Sequence, residues 1–146
     1  MNGRATALRV ATHADIATMH RIRLAVRENR LTDPARFSEA DYLREIEATG
    51  RGWIVESGGE AVAFAVVRRD GNIWALFVDP AHEGLGYGTR LNEAMLAWLG
   101  AAGVTTAWLT TEAGSRAERF YRARGWVARG EEPAGECRLE YDVPAR

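Results

Sequence analysis

Three apolar runs separated by two tight turns constrain the fold of this chain more than any other feature. The runs are residues 52–57, 60–69 and 73–79, and the turns are Gly-Gly at 58–59 and Asp-Gly-Asn at 70–72. Short glycine turns between strand-like runs predict β-hairpins, so the three strands are expected to be antiparallel neighbours. The middle of the chain therefore predicts the centre of a sheet.

The segment that follows the third strand changes the direction of the sheet. An amphipathic helix is predicted over 88–103, and a further strand is predicted over 104–111. A helix that connects two neighbouring strands predicts a parallel crossover between them. The apolar stripe of this helix consists of Leu91, Met95, Leu96 and Leu99.

The rest of the chain supplies elements on either side of this centre. Ser38 and Asp41 have the spacing of a helix-capping box, and Gly50 is expected to end the helix that they begin. The first helix carries an apolar stripe of Ile16, Met19, Ile22 or Arg23, and Val26. The remaining predicted elements are a strand at 6–12, helices at 12–29, 38–50 and 114–125, and a strand pair at 126–130 and 136–143.

Together these elements predict one α/β domain over residues 1–146. The predicted order is β-α-α-β-β-β-α-β-α-β-β. It gives a mixed, mostly antiparallel central sheet with helices on both faces.

The composition narrows the class of function. The formal net charge is −1, so there is no basic surplus that would attract nucleic acid or an anionic membrane surface. The longest apolar runs, 61–67 and 73–78, are too short to span a bilayer, and the first ten residues lack the pattern of a secretory leader. Together with the single cysteine, Cys137, these features predict a cytoplasmic protein.

The ionisable residues exclude several chemistries. All 19 cationic side chains are arginine, so the chain has no lysine for a Walker-type phosphate site or for a Schiff base. His13, His20 and His82 do not have the paired spacing of metal ligands, and no metal site is expected.

Three alternating glycines, Gly84, Gly86 and Gly88, connect the last strand of the hairpins to the helix. Glycine lets a backbone approach a ligand closely, and a helix N-terminus offers unpaired N–H groups and the positive end of the helix dipole. The segment is therefore predicted to bind a phosphate or diphosphate. It fits neither the Walker motif, which needs a lysine, nor the G-x-G-x-x-G spacing of dinucleotide sites.

Two segments resemble the signature motifs of the GNAT family of N-acetyltransferases. The segment VDPAHEGLGYGTRL, residues 78–91, is similar to the acetyl-CoA signature of that family, and AGSRAERFYRARGW, residues 113–126, is similar to a later motif. The predicted element order is also similar to the acyl-CoA N-acyltransferase fold. The resemblance implies acetyl-CoA as cosubstrate.

The family pattern also implies where acetyl-CoA would bind. The diphosphate would lie on the N–H groups of the glycine segment, and the pantetheine arm would lie in a V-shaped gap beside strand four. The implied cofactor-binding residues are Phe77, Val78, Glu83, Gly84, Leu85, Gly86, Tyr87, Gly88, Thr89, Ser115, Arg116, Phe120 and Tyr121. Glu83 departs from the glutamine or arginine of the family, and its charge is unfavourable near phosphates unless it faces solvent or pairs with an arginine such as Arg90 or Arg124.

For catalysis, the resemblance implies that Tyr121 is the acid for the leaving thiolate and that a backbone N–H near Phe77 stabilises the oxyanion. Strand four begins at Asn72 and lacks the glutamate that some members carry there, so the base for the amine is open. Glu28 is the first candidate, because it lies in the region that borders the acceptor pocket in relatives. The others are His20, Glu112, Asp79, His82 and a chain of water molecules, and Trp74 is a candidate for lining the acceptor pocket.

The sequence thus predicts an acetyltransferase that acts on a primary amine of a small molecule by direct attack in a ternary complex, with a protein N-terminus or lysine as the less favoured acceptor. Arginines between positions 21 and 30 would favour an acceptor that bears a carboxylate. The alternatives are a catalytically weak module that binds or senses acetyl-CoA, and a protein that keeps only the fold. By analogy with other open sheets, whose edges need covering, a homodimer is compatible with the sequence.

Overall fold

The computed structural model describes residues 5–26, 37–130 and 132–144. The order of the elements is the predicted one. Their bounds are β1 Thr6–Val10, α1 Ile16–Ala25, α2 Glu39–Leu43, β2 Gly50–Ser57, β3 Glu60–Arg68, β4 Ile73–Val78, α3 Tyr87–Ala101, β5 Thr106–Glu112, α4 Arg116–Arg122, β6 Val127–Ala128 and β7 Glu136–Asp142.

The strands form two sheets. The first has the order β1-β2-β3-β4 with antiparallel neighbours throughout, which confirms the two predicted hairpins at its centre. The second has the order β5-β7-β6 and is also antiparallel. An isolated parallel bridge between Asn72 and Trp108 connects β4 to β5, as the crossover through α3 predicts.

Helices cover both faces of the first sheet, as the sequence predicts. On β3, the side chains of Ala63, Ala65 and Val67 belong to a core cluster shared with α3, whereas Phe64 and Val66 belong to a second cluster shared with α1 and α2. Successive residues of a strand point to opposite faces. The strand β3 is therefore buried on both faces, which explains its continuous apolar sequence.

The helix predicted over residues 38–50, which precedes β2, differs from the structure at its C-terminal end. Ser38 accepts a hydrogen bond from the Asp41 N–H and Asp41 accepts one from the Ser38 N–H, which confirms the capping box. After α2 the chain continues in a π-helical turn, Arg44–Ala48. The expectation that Gly50 ends this helix is wrong, because Gly50 is the first residue of β2 and its Cα packs against the Val67 carbonyl, where a side chain would not fit.

The first helix is shorter than the described part of its prediction. A 3-10 turn, His13–Asp15, precedes α1, and Val26 after it has an extended backbone. Residues 27–29 of the predicted helix lie outside the described residues. The predicted stripe is buried, and Arg23 is buried with it.

Gly71 holds the two sheets together at their junction. Its carbonyl accepts a hydrogen bond of 2.9 Å from the Trp108 N–H, and its φ of +96° lies in the left-handed region that favours glycine. A Cβ at this position would collide with the Thr106 carbonyl. The close approach of β5 to the β3–β4 turn therefore requires glycine here.

Gly71→Ala should destabilise the protein more than Gly59→Ala. Gly59 also has a positive φ, +82°, but nothing lies within 4 Å of where its Cβ would be, so alanine there should cost only the backbone penalty of about 1–2 kcal/mol. Gly71→Ala should cost at least about 1 kcal/mol more, because the collision adds to the same penalty. Urea unfolding at neutral pH measures both, and equal losses would contradict the role given to the junction.

Candidate active site

A cleft of about 550 Å³ lies where β4 ends and the glycine segment enters α3, with α4 forming its opposite wall. Most of the predicted cofactor residues line it, namely Phe77, Val78, Glu83, Gly84, Gly86, Tyr87, Gly88, Thr89, Arg116, Phe120 and Tyr121. Leu85 and Ser115 do not. The Leu85 side chain is exposed, and the Ser115 hydroxyl caps α4 by accepting a hydrogen bond from the Glu118 N–H.

Gly84 and Gly86 shape the loop at the mouth of α3. Their φ angles are +78° and +86°, and nothing lies within 4 Å of where a Cβ would be at either position. Gly86 is the N-cap of α3, so the N–H groups of the first helical turn have no acceptor within the helix. The loop therefore presents open backbone and the positive end of a helix dipole to the cleft, which is a site suited to an anion.

Gly88 has a different role from the other two glycines. It lies inside α3 with helical geometry, and a Cβ there would be 3.1 Å and 3.3 Å from two ring carbons of Phe120. Its missing side chain lets α4 approach the first turn of α3. The three glycines were predicted as one phosphate-binding feature, but this one serves the packing of the cleft wall.

Glu83 is neutralised from across the cleft. Its carboxylate lies 3.1 Å from Nη1 of Arg116 on α4. The arginines considered in the sequence analysis have other contacts, since Arg90 donates to the Thr6 hydroxyl and Arg124 donates to the Thr89 hydroxyl. The pairing of Glu83 with an arginine is thus present, but with a different arginine.

Tyr121 lies on the inner side of α4 and is 5% exposed. Its ring packs edge-on against Phe120 and Trp126, with centroid distances of 5.1 Å and 4.9 Å. Burial raises the pKa of the Tyr121 hydroxyl well above its ordinary value of 10.0, because the tyrosinate would lose its hydration. At neutral pH the residue is therefore a hydrogen-bond donor in the wall of the cleft.

Four of the candidate bases do not line the cleft. His20 Nδ1 lies 2.7 Å from the Tyr42 hydroxyl, between α1 and α2. Asp79 accepts a hydrogen bond from the Ala81 N–H, and His82 Nδ1 lies 4.0 Å from the Asp79 carboxylate.

Glu112, the fourth of these, is exposed at the end of β5, and Glu28 lies outside the described residues. Of the carboxylates that the structure describes, only Glu83 lines the cleft, and it is paired. The identity of the residue that accepts the proton of the amine stays a prediction.

Trp74 lies on the face of β4 that packs against α1 and α2. The β3–β4 register shifts between Val66 and Val67, and the ring of Trp74 packs edge-on against Phe37 and Tyr42 at 5.4 Å and 5.3 Å. Trp74 does not line the cleft, and its role in an acceptor pocket stays a prediction.

The guanidinium of Arg23 lies among the aromatic rings of Phe37, Trp74 and Phe77. Its guanidinium carbon lies 4.4 Å from the ring centre of Phe37 and 4.9 Å from that of Phe77. Phe77 also lines the cofactor cleft, so one ring separates this buried cation from the cleft. In the sequence, the only sign that Arg23 would be buried was its position in the apolar stripe of α1.

Sequence reasoning did not assign four lining residues, which are Val26, Leu76, Ala117 and Arg124. The sequence held one signal for Arg124, which follows Phe120 by four residues within the predicted helix 114–125, a spacing that places two side chains on the same side of a helix. Its Nε and Nη2 donate to the Thr89 hydroxyl at 3.0 Å and 2.6 Å, so it ties α4 to α3.

Two further findings concern ions and membranes. In the described ranges, no group of three or more His, Cys, Asp or Glu side chains is arranged to hold a metal ion. No helix among the same residues is both long and apolar enough to cross a bilayer.

The raised pKa of Tyr121 predicts when it ionises. In an ultraviolet titration, folded wild type and folded Tyr121→Phe should differ by one tyrosine that ionises above pH 10. The same two proteins unfolded in urea should differ by one tyrosine that ionises at about pH 10. In the pH range between these two ionisations only the unfolded chain loses the Tyr121 proton, so wild-type stability should fall more steeply above pH 10 than that of the variant. A folded-state difference that appears at or below pH 10 would contradict this assignment.

The family model "Acetyltransferase (GNAT) family" matches residues 16–126 of the chain. Among curated protein sequences, none is significantly similar to this chain.

Solved structures share the fold over nearly the whole chain. The PaiA N-acetyltransferase from Thermoplasma acidophilum, in complex with coenzyme A, is 12% identical with a TM-score of 0.83, covering 94% of this chain and 99% of that one. The ribosomal-protein-S18-alanine N-acetyltransferase from Escherichia coli is 17% identical with a TM-score of 0.79, covering 97% and 96%. YncA from Salmonella typhimurium, solved with acetyl-CoA, is 16% identical with a TM-score of 0.78, covering 97% and 96%.

At these identities the structural similarity concerns the fold, whereas the family match rests on the sequence itself. Since that match spans most of the chain, including the glycine segment and the whole of α4, the protein belongs to the GNAT family of acetyltransferases.

Proposed function

We propose that this protein transfers an acetyl group from acetyl-CoA to a primary amine of a small molecule, by direct attack within a ternary complex. One observation carries the proposal: the open backbone of the glycine segment, the end of β4 and the Tyr121 ring line a single cleft. An anion site, an unpaired strand edge and a hydroxyl donor are the parts that binding and cleaving a thioester of coenzyme A would use.

The diphosphate of acetyl-CoA would lie on the N–H groups at the start of α3. Gly84 and Gly86 leave space there, and the dipole of the 15-residue helix favours negative charge at this end. Two of the similar structures described above were solved with coenzyme A or acetyl-CoA, which supports this choice of ligand.

The pantetheine arm would extend along β4. This strand pairs with β3 along one edge, and its other edge meets β5 only at the Asn72–Trp108 bridge within the described residues. Backbone N–H and C=O groups near Phe77 and Val78 that point away from β3 could then pair with the amides of pantetheine as an added strand would. This arrangement would bring the thioester toward the buried end of the cleft.

The reaction would need no covalent enzyme intermediate. The amine lone pair attacks the thioester carbonyl, a C–N bond forms, and a backbone N–H near Phe77 stabilises the oxyanion. The C–S bond then breaks and coenzyme A leaves as its thiolate. Holding the amine beside the thioester supplies much of the rate through proximity.

Tyr121 would assist the departure of the thiolate. The pKa of Tyr121 is raised, whereas a free thiol titrates at about 8.5, so full proton transfer from tyrosine to sulfur is uphill. We therefore assign the Tyr121 hydroxyl a hydrogen bond to the sulfur, which strengthens as negative charge develops, with the final proton supplied by solvent. The proton lost by the amine would pass to Glu28 or to water.

The acceptor is proposed to be small and not strongly cationic. The net charge of −1 is not the acidic surplus that would attract a lysine-rich protein surface, and the arginines between residues 21 and 30 would repel such a surface and attract a carboxylate. A protein N-terminus is the competing acceptor, and the similar Escherichia coli protein is an N-acetyltransferase named for an alanine of ribosomal protein S18. A cytoplasmic location and a homodimer are proposed only from the sequence.

A second candidate function is the binding or sensing of acetyl-CoA without efficient transfer. One observation favours it. The carboxylate of Glu83, the only one that lines the described part of the cleft, is engaged by Arg116 and is poorly placed to accept a proton from an amine.

Gly86→Ala should weaken binding of acetyl-CoA about 10-fold, because alanine disfavours the left-handed backbone that opens the loop, a penalty of about 1–2 kcal/mol. Gly59→Ala carries the same backbone penalty in the β2–β3 turn, away from the cleft, and should bind acetyl-CoA like the wild type. Isothermal titration calorimetry on the three proteins measures these affinities. No saturable heat with the wild type would overturn the proposed function.

Tyr121→Phe should lower kcat by about 100-fold while changing the Kd for acetyl-CoA less than about 2-fold, because it removes a hydrogen bond that matters as the thiolate forms. Tyr141→Phe, on β7 beside the same Trp126 ring but outside the cleft, is the matched control and should leave kcat unchanged. Release of free thiol with a library of amines measures turnover. Equal losses in kcat and affinity would make Tyr121 a wall of the cleft, and no thiol release with any amine would favour the binding module.

A further inference from the structure

We propose that Arg124 is a ligand of the cofactor's diphosphate and that Thr89 and Phe120 position it before the cofactor arrives. This inference rests on the proposed function, since it assumes that coenzyme A occupies the cleft. It adds a side chain from the turn that follows α4 to a phosphate site otherwise built from backbone.

The guanidinium of Arg124 is held at three points between α3 and α4. Nε and Nη2 donate to the Thr89 hydroxyl at 3.0 Å and 2.6 Å, and Nη1 donates to the Phe120 carbonyl at 2.7 Å. The guanidinium carbon also lies 3.7 Å from the centre of the Phe120 ring. A side chain fixed in this way would lose little further conformational entropy on binding an anion.

Gly88 makes this arrangement possible. The Phe120 ring contacts both the Arg124 guanidinium and the first turn of α3, where a Cβ on residue 88 would lie 3.1 Å from a ring carbon. The missing side chain at Gly88 lets this ring, and Arg124 with it, approach the helix N-terminus where the diphosphate is proposed to lie.

The charges at the cleft favour the same assignment. Glu83 stands where the family signature has glutamine or arginine, and its ion pair with Arg116 leaves no net charge on those two residues. Arg124 instead contacts a hydroxyl and a carbonyl, which are neutral, and no ion pair with it is present among the residues the structure describes. Its positive charge is therefore available to a phosphate in the cleft.

Thr89 would contribute a second donor. Its oxygen accepts both N–H groups of Arg124, so its own hydroxyl hydrogen takes no part in these bonds. Thr89 lies in the first turn of α3 and lines the cleft. Its hydroxyl can then donate to the same anion as the backbone N–H groups beside it.

Calorimetry with coenzyme A tests the proposal. Arg124→Gln should weaken binding roughly 10- to 100-fold, as expected for the loss of a charge-assisted hydrogen bond. Arg122→Gln removes the same charge two residues earlier, at the end of α4, but Arg122 is exposed, pairs with Glu118 and does not line the cleft, so this control should bind like the wild type.

Three readouts separate a phosphate ligand from a merely structural role. The affinity of Arg124→Gln for coenzyme A should fall less steeply with added salt than that of the wild type. Pantetheine, which lacks the diphosphate, should bind the variant and the wild type equally. Arg124→Lys should recover part of the lost affinity, because it restores the charge without the planar fork.

The outcomes are distinguishable from failure of the proposed function. Coenzyme A that does not bind the wild type would overturn both, whereas equal binding to wild type and Arg124→Gln would overturn this inference alone. An equal loss of affinity for pantetheine would also overturn it, since the defect would then be general. If Arg124→Gln does not fold, Arg124→Lys and Thr89→Val carry the test, and wild-type affinity in both would overturn the inference.

Discussion

The cleft depends on a parallel bridge between the two sheets, the only such bridge among the residues that the structure describes. The β3–β4 turn and β5 are held together at Asn72, Trp108 and Gly71, where only glycine allows the close approach. Beyond this point β4 and β5 belong to different sheets, so the end of β4 keeps an unpaired edge. A continuous sheet would satisfy that edge internally and leave no place for a ligand to add to it.

The glycine segment shows how one motif serves two physical purposes. Gly84 and Gly86 adopt backbone angles that other residues disfavour, and they open the loop in front of α3. Gly88 has ordinary helical geometry and is needed because Phe120 packs onto it. The same three residues therefore create the anion site and fix the wall opposite it.

The charges around the cleft come from three separate elements. Glu83 before α3 and Arg116 on α4 neutralise each other, while Arg124 in the turn after α4 is bonded to the Thr89 hydroxyl. An acidic residue at position 83 is thus compatible with an anion site, because α4 and the turn after it each supply a cation. Burial acts differently on Tyr121, where it raises the pKa and keeps the hydroxyl neutral as a donor.

The order of the elements, the hairpins and the crossover can be predicted from the sequence, because glycine turns, apolar periodicity and the capping box of Ser38 and Asp41 act over a few residues. The family was predicted from the resemblance of residues 78–91 and 113–126 to its motifs, and the family match confirms it. The sequence also identified most of the residues that line the cleft, because a motif of consecutive residues remains together in the fold.

Which side chains from distant parts of the chain come into contact depends on the tertiary structure. The pairing of Glu83 with Arg116, the anchoring of Arg124 on Thr89 and the insertion of Gly50 into β2 depend on the approach of separate elements. No local pattern encodes these distances, because they result from how α4 packs on α3 and how β2 pairs with β3.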